Sequence, residues 1–123
     1  MAEVFLAEKG GAEGTSKRLV VKRILPAQRR DARLHAMFVS EARIATGLDH
    51  PNIVHVYELV EHPQDGLLLA MEYVDGAGLA TTLRAARRRG ERVPAYVAAL
   101  IAREAAKGLH YAHQCTGADG APP

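Results

Sequence analysis

A lysine at the centre of an apolar strand, and a glutamate inside the apolar stripe of the helix that follows, constrain this chain more than any other feature. The strand reads Leu19-Val20-Val21-Lys22-Arg23-Ile24-Leu25. Side chains alternate faces along a strand, so Val20, Lys22 and Ile24 share one side. The helix runs from Asp31 to Leu48, and Leu34, Met37, Phe38, Ile44, Ala45 and Leu48 recur along it with helical period. Glu41 falls inside that stripe, although read alone it would also fit the rim of an imperfect amphipathic face. An ion turned toward an apolar interior loses hydration at a cost of several kcal/mol unless it meets an opposite charge. Lys22 and Glu41 answer each other. A pair joining an inward sheet face to an inward helix face predicts a site.

The remaining elements follow from turn residues and periodicity. Strands are expected over Val4–Glu8, Arg18–Ile24, Ile53–Glu61 and Leu67–Tyr73, with Gly10, Gly11 and Gly14 loosening the first connection. Asp31 can cap the first helix. Two more helices are expected, a short one over Leu79–Arg88 and a longer one from Pro94 to about His113, with a turn-rich tail over Thr116–Pro123. The fold class is therefore α+β: a four-stranded antiparallel sheet with one packed helix, a linker at 75–78, and two further helices.

Composition removes several classes of function. The chain has 123 residues, room for one domain and a modest core. Sixteen basic and fourteen acidic residues leave a net charge of +2, too small to argue for a nucleic-acid partner. The run Arg87-Arg88-Arg89 has no interleaved aromatic residue and reads as a solvated helix end. The single cysteine, Cys115, excludes an internal disulfide and fits a reducing cytoplasm. No stretch approaches the roughly 18 continuous apolar residues of a membrane span. The histidines, including His110 and His113, show no metal-ligand spacing, so no metal site is expected.

In this order the residues resemble the N-terminal lobe of a bacterial serine/threonine protein kinase, continuing into the first two helices of the C-terminal lobe. Leu19-Val20-Val21-Lys22 is similar to the family's V-A-I-K strand, and Glu41 to the helix glutamate that pairs with its lysine. Leu48-Asp49-His50-Pro51-Asn52-Ile53-Val54 resembles the family's passage from helix to strand. Met71-Glu72-Tyr73-Val74-Asp75-Gly76 resembles the hinge, with Met71 as gatekeeper, a position that is also plain core. Gly108-Leu109-His110-Tyr111-Ala112-His113 resembles the end of the helix before the catalytic loop. The resemblance implies an N-lobe over 1–74, a hinge over 75–78 and the start of a C-lobe over 79–123.

It also implies an ATP site. Val4, Val20 and Met71 would form its apolar wall, Glu72 and Val74 its adenine edge, and Lys22, supported by Glu41, its phosphate contact. Val20 stands where the family places alanine, which narrows the adenine slot. Val4 matches the valine that closes the glycine loop, but Ala2 takes the place of the third glycine, and the first two would lie upstream of Met1. No His-Arg-Asp and no Asp-Phe-Gly occurs in the sequence, so neither a catalytic base nor a magnesium ligand is expected within the chain. The resemblance thus implies a cytoplasmic kinase fragment, truncated before the catalytic loop and inactive alone. Its intact parent would use ATP, Mg and a protein substrate. The alternative is a non-catalytic interaction or regulatory module on the same scaffold, with another kinase chain as a partner. The long helix favours it, since Val97, Leu100, Ile101, Ala105, Leu109 and Ala112 form an apolar side needing cover.

Overall fold

The computed structural model describes residues 2–115, and the tail expected over Thr116–Pro123 lies outside them. Four strands, β1 (Ala2–Gly10), β2 (Ser16–Ile24), β3 (Val56–His62) and β4 (Gly66–Glu72), form one antiparallel sheet in the order β1-β2-β4-β3. Helix α1 (Ala32–Thr46) lies between β2 and β3 in sequence, and α2 (Leu79–Arg88) and α3 (Ala95–Gln114) follow the sheet. The expected α+β architecture is present, with every element in the expected order.

Register decides which side chains share a face. Val4 stands opposite Lys22, Lys22 opposite Leu69, and Leu69 opposite Leu59. The next row is Leu6, Val20, Met71 and Val56. Both rows lie on the face that α1 covers, because Phe38 and Ala42 of α1 are buried in one cluster with Ile24, Val56 and Leu69. Leu69 is the largest side chain below 2% exposure, and it marks the centre of this small core. Burial of these apolar groups, at about 25 cal/mol per Å², is what holds the helix on the sheet.

Three details differ from the sequence reading, each for a local reason. First, the buried line of α1 is Phe38, Ala42 and, more loosely, Ala45, whereas Met37 and Ile44 are exposed. Ala42 is the most deeply buried residue of α1, and Glu41 beside it comes to the margin of the buried face. Second, β3 begins at Val56 instead of Ile53. The backbone before it is used locally: Ile53 N–H donates to His50 O at 3.0 Å, and Pro51 has no N–H to give a ladder. A bulge between Val56 and Glu58 then shifts the register. Third, α1 spans Ala32–Thr46 instead of Asp31–Leu48, while Asp31 caps it as expected, its carboxylate accepting from the N–H groups of Arg33 (2.9 Å) and Leu34 (3.2 Å).

Candidate nucleotide site

The site is assembled on the sheet face beneath α1. Lys22 reaches across to the helix and donates to Glu41 Oε1 at 2.6 Å. Phe38, one turn earlier on α1, lies 5.9 Å beneath the same ammonium. The pair is only partly withdrawn from water, with the Lys22 side chain 24% exposed and that of Glu41 52%. Solvent at Glu41 lowers the cost of separating the ions, so the contact is an adjustable one rather than a locked core pair. Glu41 is therefore not the buried ion that its place in the stripe suggested.

Around Lys22 the register gathers the other sequence-derived candidates. Val4 faces it from β1, and Val20 and Met71 stand directly opposite each other one row away. Val20 and Met71 are half-buried and Val4 is exposed, a graded apolar wall open on the β1 side. At the end of β4, Glu72 turns back toward β3. Its carboxylate accepts from His55 N–H at 3.0 Å, and its own N–H donates to His55 O at 2.8 Å. Val74 is exposed, and its N–H has no hydrogen-bond partner among the described residues. Among those residues, no three His, Cys, Asp or Glu side chains converge as a metal site would require.

Periodicity did not reveal a second contact, which joins the passage between α1 and β3 to α3. Asn52 Nδ2 donates to both the backbone oxygen and Oε2 of Glu104, each at 2.7 Å. Glu104 Oε1 accepts from Lys107 and Arg103, both at 2.9 Å. The Asn52 amide, then Lys107 and Arg103, hold the Glu104 carboxyl down at about 2 from its ordinary 4.5. One and two turns further along, Gly108 is buried, and a Cβ there would meet Asn52 O at 3.2 Å; Tyr111 Oη accepts from Asp49 N–H at 3.2 Å. Glu104, Gly108 and Tyr111 thus form one line of α3 on which the passage 49–53 rests. That passage follows α1 directly, so the contact fixes the end of the helix that carries Glu41. In the sequence Glu104 stands beside Ala105 of the apolar side of this helix, and nothing else there marks the latch.

Comparison with known proteins agrees with this fold. A family model described as protein kinase domain matches residues 3–116. The chain is 42% identical over 122 residues to the tyrosine-protein kinase MasK of Myxococcus xanthus, covering 99% of this chain and 19% of that protein. It is 44% identical over 85 residues to the serine/threonine-protein kinase PknJ of Mycobacterium tuberculosis, covering 69% of this chain and 13% of the relative. The crystal structure of the M. tuberculosis PknI kinase domain superposes with a TM-score of 0.70 at 31% identity, covering 93% of this chain and 43% of that one. The chain spans less than a fifth of the length of these curated relatives. A lysine strand, its glutamate helix and a sheet-to-helix connection in this arrangement, matched by that family over nearly every residue, place the chain in the protein kinase family.

Proposed function

We propose that this chain is the nucleotide-binding part of a serine/threonine protein kinase and that its 123 residues alone do not transfer phosphate. The observation that carries this reading is the Lys22–Glu41 pair on the same sheet face as Val4, Val20 and Met71. An adenine ring requires a flat apolar slot edged by a few backbone donors and acceptors. Val4, Val20 and Met71 supply the wall. Because the Glu72 N–H is already given to His55, the donor at the edge is Val74, with the Glu72 carbonyl as the matching acceptor. Lys22 supplies positive charge for the phosphates, and Glu41 holds that ammonium over the slot.

Transfer needs an aspartate beside the attacking hydroxyl and side chains that hold Mg against the phosphates. The sequence contains neither His-Arg-Asp nor Asp-Phe-Gly, so those steps and the protein substrate belong to an intact parent. The serine/threonine assignment is supported by the names of relatives such as PknJ, whereas MasK carries a tyrosine name. A cytoplasmic setting is supported by the single cysteine and by the absence, among the described residues, of a helix long and apolar enough to cross a membrane.

A second reading, a non-catalytic interaction module, is favoured by the uncovered side of α3, where Leu100 and Leu109 are exposed. A radiolabelled γ-phosphate transfer assay on a generic protein substrate, paired with ATP binding by calorimetry, separates the readings. Weak ATP binding without transfer supports the first. Transfer above background overturns the claim of inactivity, and a folded chain that binds no ATP leaves the second.

A further inference from the structure

Helix α2 concentrates the positive charge of the chain. Residues 79–93 hold Arg84, Arg87, Arg88, Arg89 and Arg92 against Glu91 alone, which leaves the rest of the chain with eleven basic and thirteen acidic residues. All five arginines are exposed, and none forms an ion pair among the described residues. Arg84 donates to Thr81 Oγ1 at 3.2 Å, the one side-chain hydrogen bond of the group among the described residues. Arg87 and Arg88 lie in the last turn, where cations offset the helix dipole. Arg84, Arg89 and Arg92 exceed what that role requires, and Arg84 and Arg88 repel each other at the i, i+4 spacing.

We propose that the arginine face of α2 docks an extended acidic peptide segment of a partner protein. Charge complementarity selects the chemistry, because guanidinium groups pair with carboxylates through two parallel hydrogen bonds. Spacing selects the form. Arg84 and Arg88 are separated by about 6 Å of helix rise, and alternate side chains on one side of an extended chain lie about 6.6 Å apart. Two other partners fit less well. Leu83 and Ala86, on the other side of α2, are half-buried, which leaves little apolar surface free to enter a bilayer. Residues 79–93 contain no aromatic side chain to stack on bases.

The test uses the 123-residue chain and a fluorescein-labelled octapeptide of alternating Glu and Thr, followed by anisotropy without nucleotide. Binding is expected to weaken steeply with salt and to fall roughly fivefold or more in Arg84→Ser/Arg88→Ser. It should persist in Arg43→Ser, an exposed arginine on α1. Thermal melts of each variant establish that the exposed substitutions leave the fold intact. The proposal is overturned if the peptide does not bind, or if the double variant binds it as well as the parent chain. It is equally overturned if phosphatidylserine vesicles or single-stranded RNA bind more tightly than the peptide through the same arginines.

Discussion

Lys22 Nζ lies 2.6 Å from Glu41 Oε1, yet about half of the Glu41 side chain remains in water. That combination separates function from stability at this contact. Partly exposed ion pairs contribute about 0.2–1 kcal/mol, so Glu41→Ala should cost no more than about 1 kcal/mol in urea unfolding. A buried pair would instead cost roughly 3–5 kcal/mol when one partner is removed. Lys22→Met should fold as well as the parent and lose most of the affinity for the phosphates. A loss of about 3 kcal/mol or more in Glu41→Ala would mean that α1 sits tighter on the sheet than its exposure indicates.

The core gives the opposite expectation. Leu69 is 1% exposed and touches both layers through the cluster with Ile24, Phe38, Ala42 and Val56. Leu69→Ala should destabilise by about 2–5 kcal/mol, with the transition shifted to lower denaturant. In a lobe this small the variant should be close to unfolded at room temperature. Circular dichroism against urea reads the effect directly.

The latch on α3 should show itself through Gly108. Alanine there would gain about 1 kcal/mol in helix propensity but press its Cβ to 3.2 Å from Asn52 O and 3.3 Å from Ile53 Cγ1. The two effects should nearly cancel. Gly108→Val adds bulk against a backbone oxygen that cannot swing aside, and it should destabilise by about 2 kcal/mol. Equal stabilities of the alanine and valine variants would show that the passage 49–53 does not rest on α3.

Acid should release the same latch. The Asn52 amide, with Lys107 and Arg103, holds Glu104 at about 2 when folded, against 4.5 as its ordinary value. A carboxyl held low in the folded state stabilises the fold above its unfolded value, and that share is lost as pH falls through the folded one. The stability gap between the parent chain and Glu104→Gln should therefore be constant above about pH 4.5 and close between pH 4.5 and about 2. A gap that persists unchanged at pH 2 would assign the effect to shape and not to charge.

What the sequence made legible depended on how local the cause was. The alternation of Val20, Lys22 and Ile24 and the helical period around Phe38 fixed the layers, because binary patterns report which face is buried. The linker at 75–78 and the Asp31 cap followed from turn and capping chemistry within a few positions. The Glu104 latch did not, since Asn52 lies 52 residues away and nothing in either segment alone marks the pairing. The start of β3 was missed for a related reason: Ile53 looks like a strand residue, but its N–H is taken by His50. The exposure of Glu41 required knowing how α1 seats on the sheet, with Ala42 its most deeply buried residue, and that is decided only once the sheet is in place.

The most direct test of the account is calorimetric titration of the 123-residue chain with ATP, in the presence and absence of magnesium. The proposed adenine wall and Lys22 lie within the chain, whereas its sequence holds no Asp-Phe-Gly to supply a magnesium ligand. Binding should therefore be weak, carried mostly by the adenine, and unchanged by the metal. An affinity that rises several-fold with magnesium would contradict the account, and so would the absence of any heat from a chain that melts cooperatively.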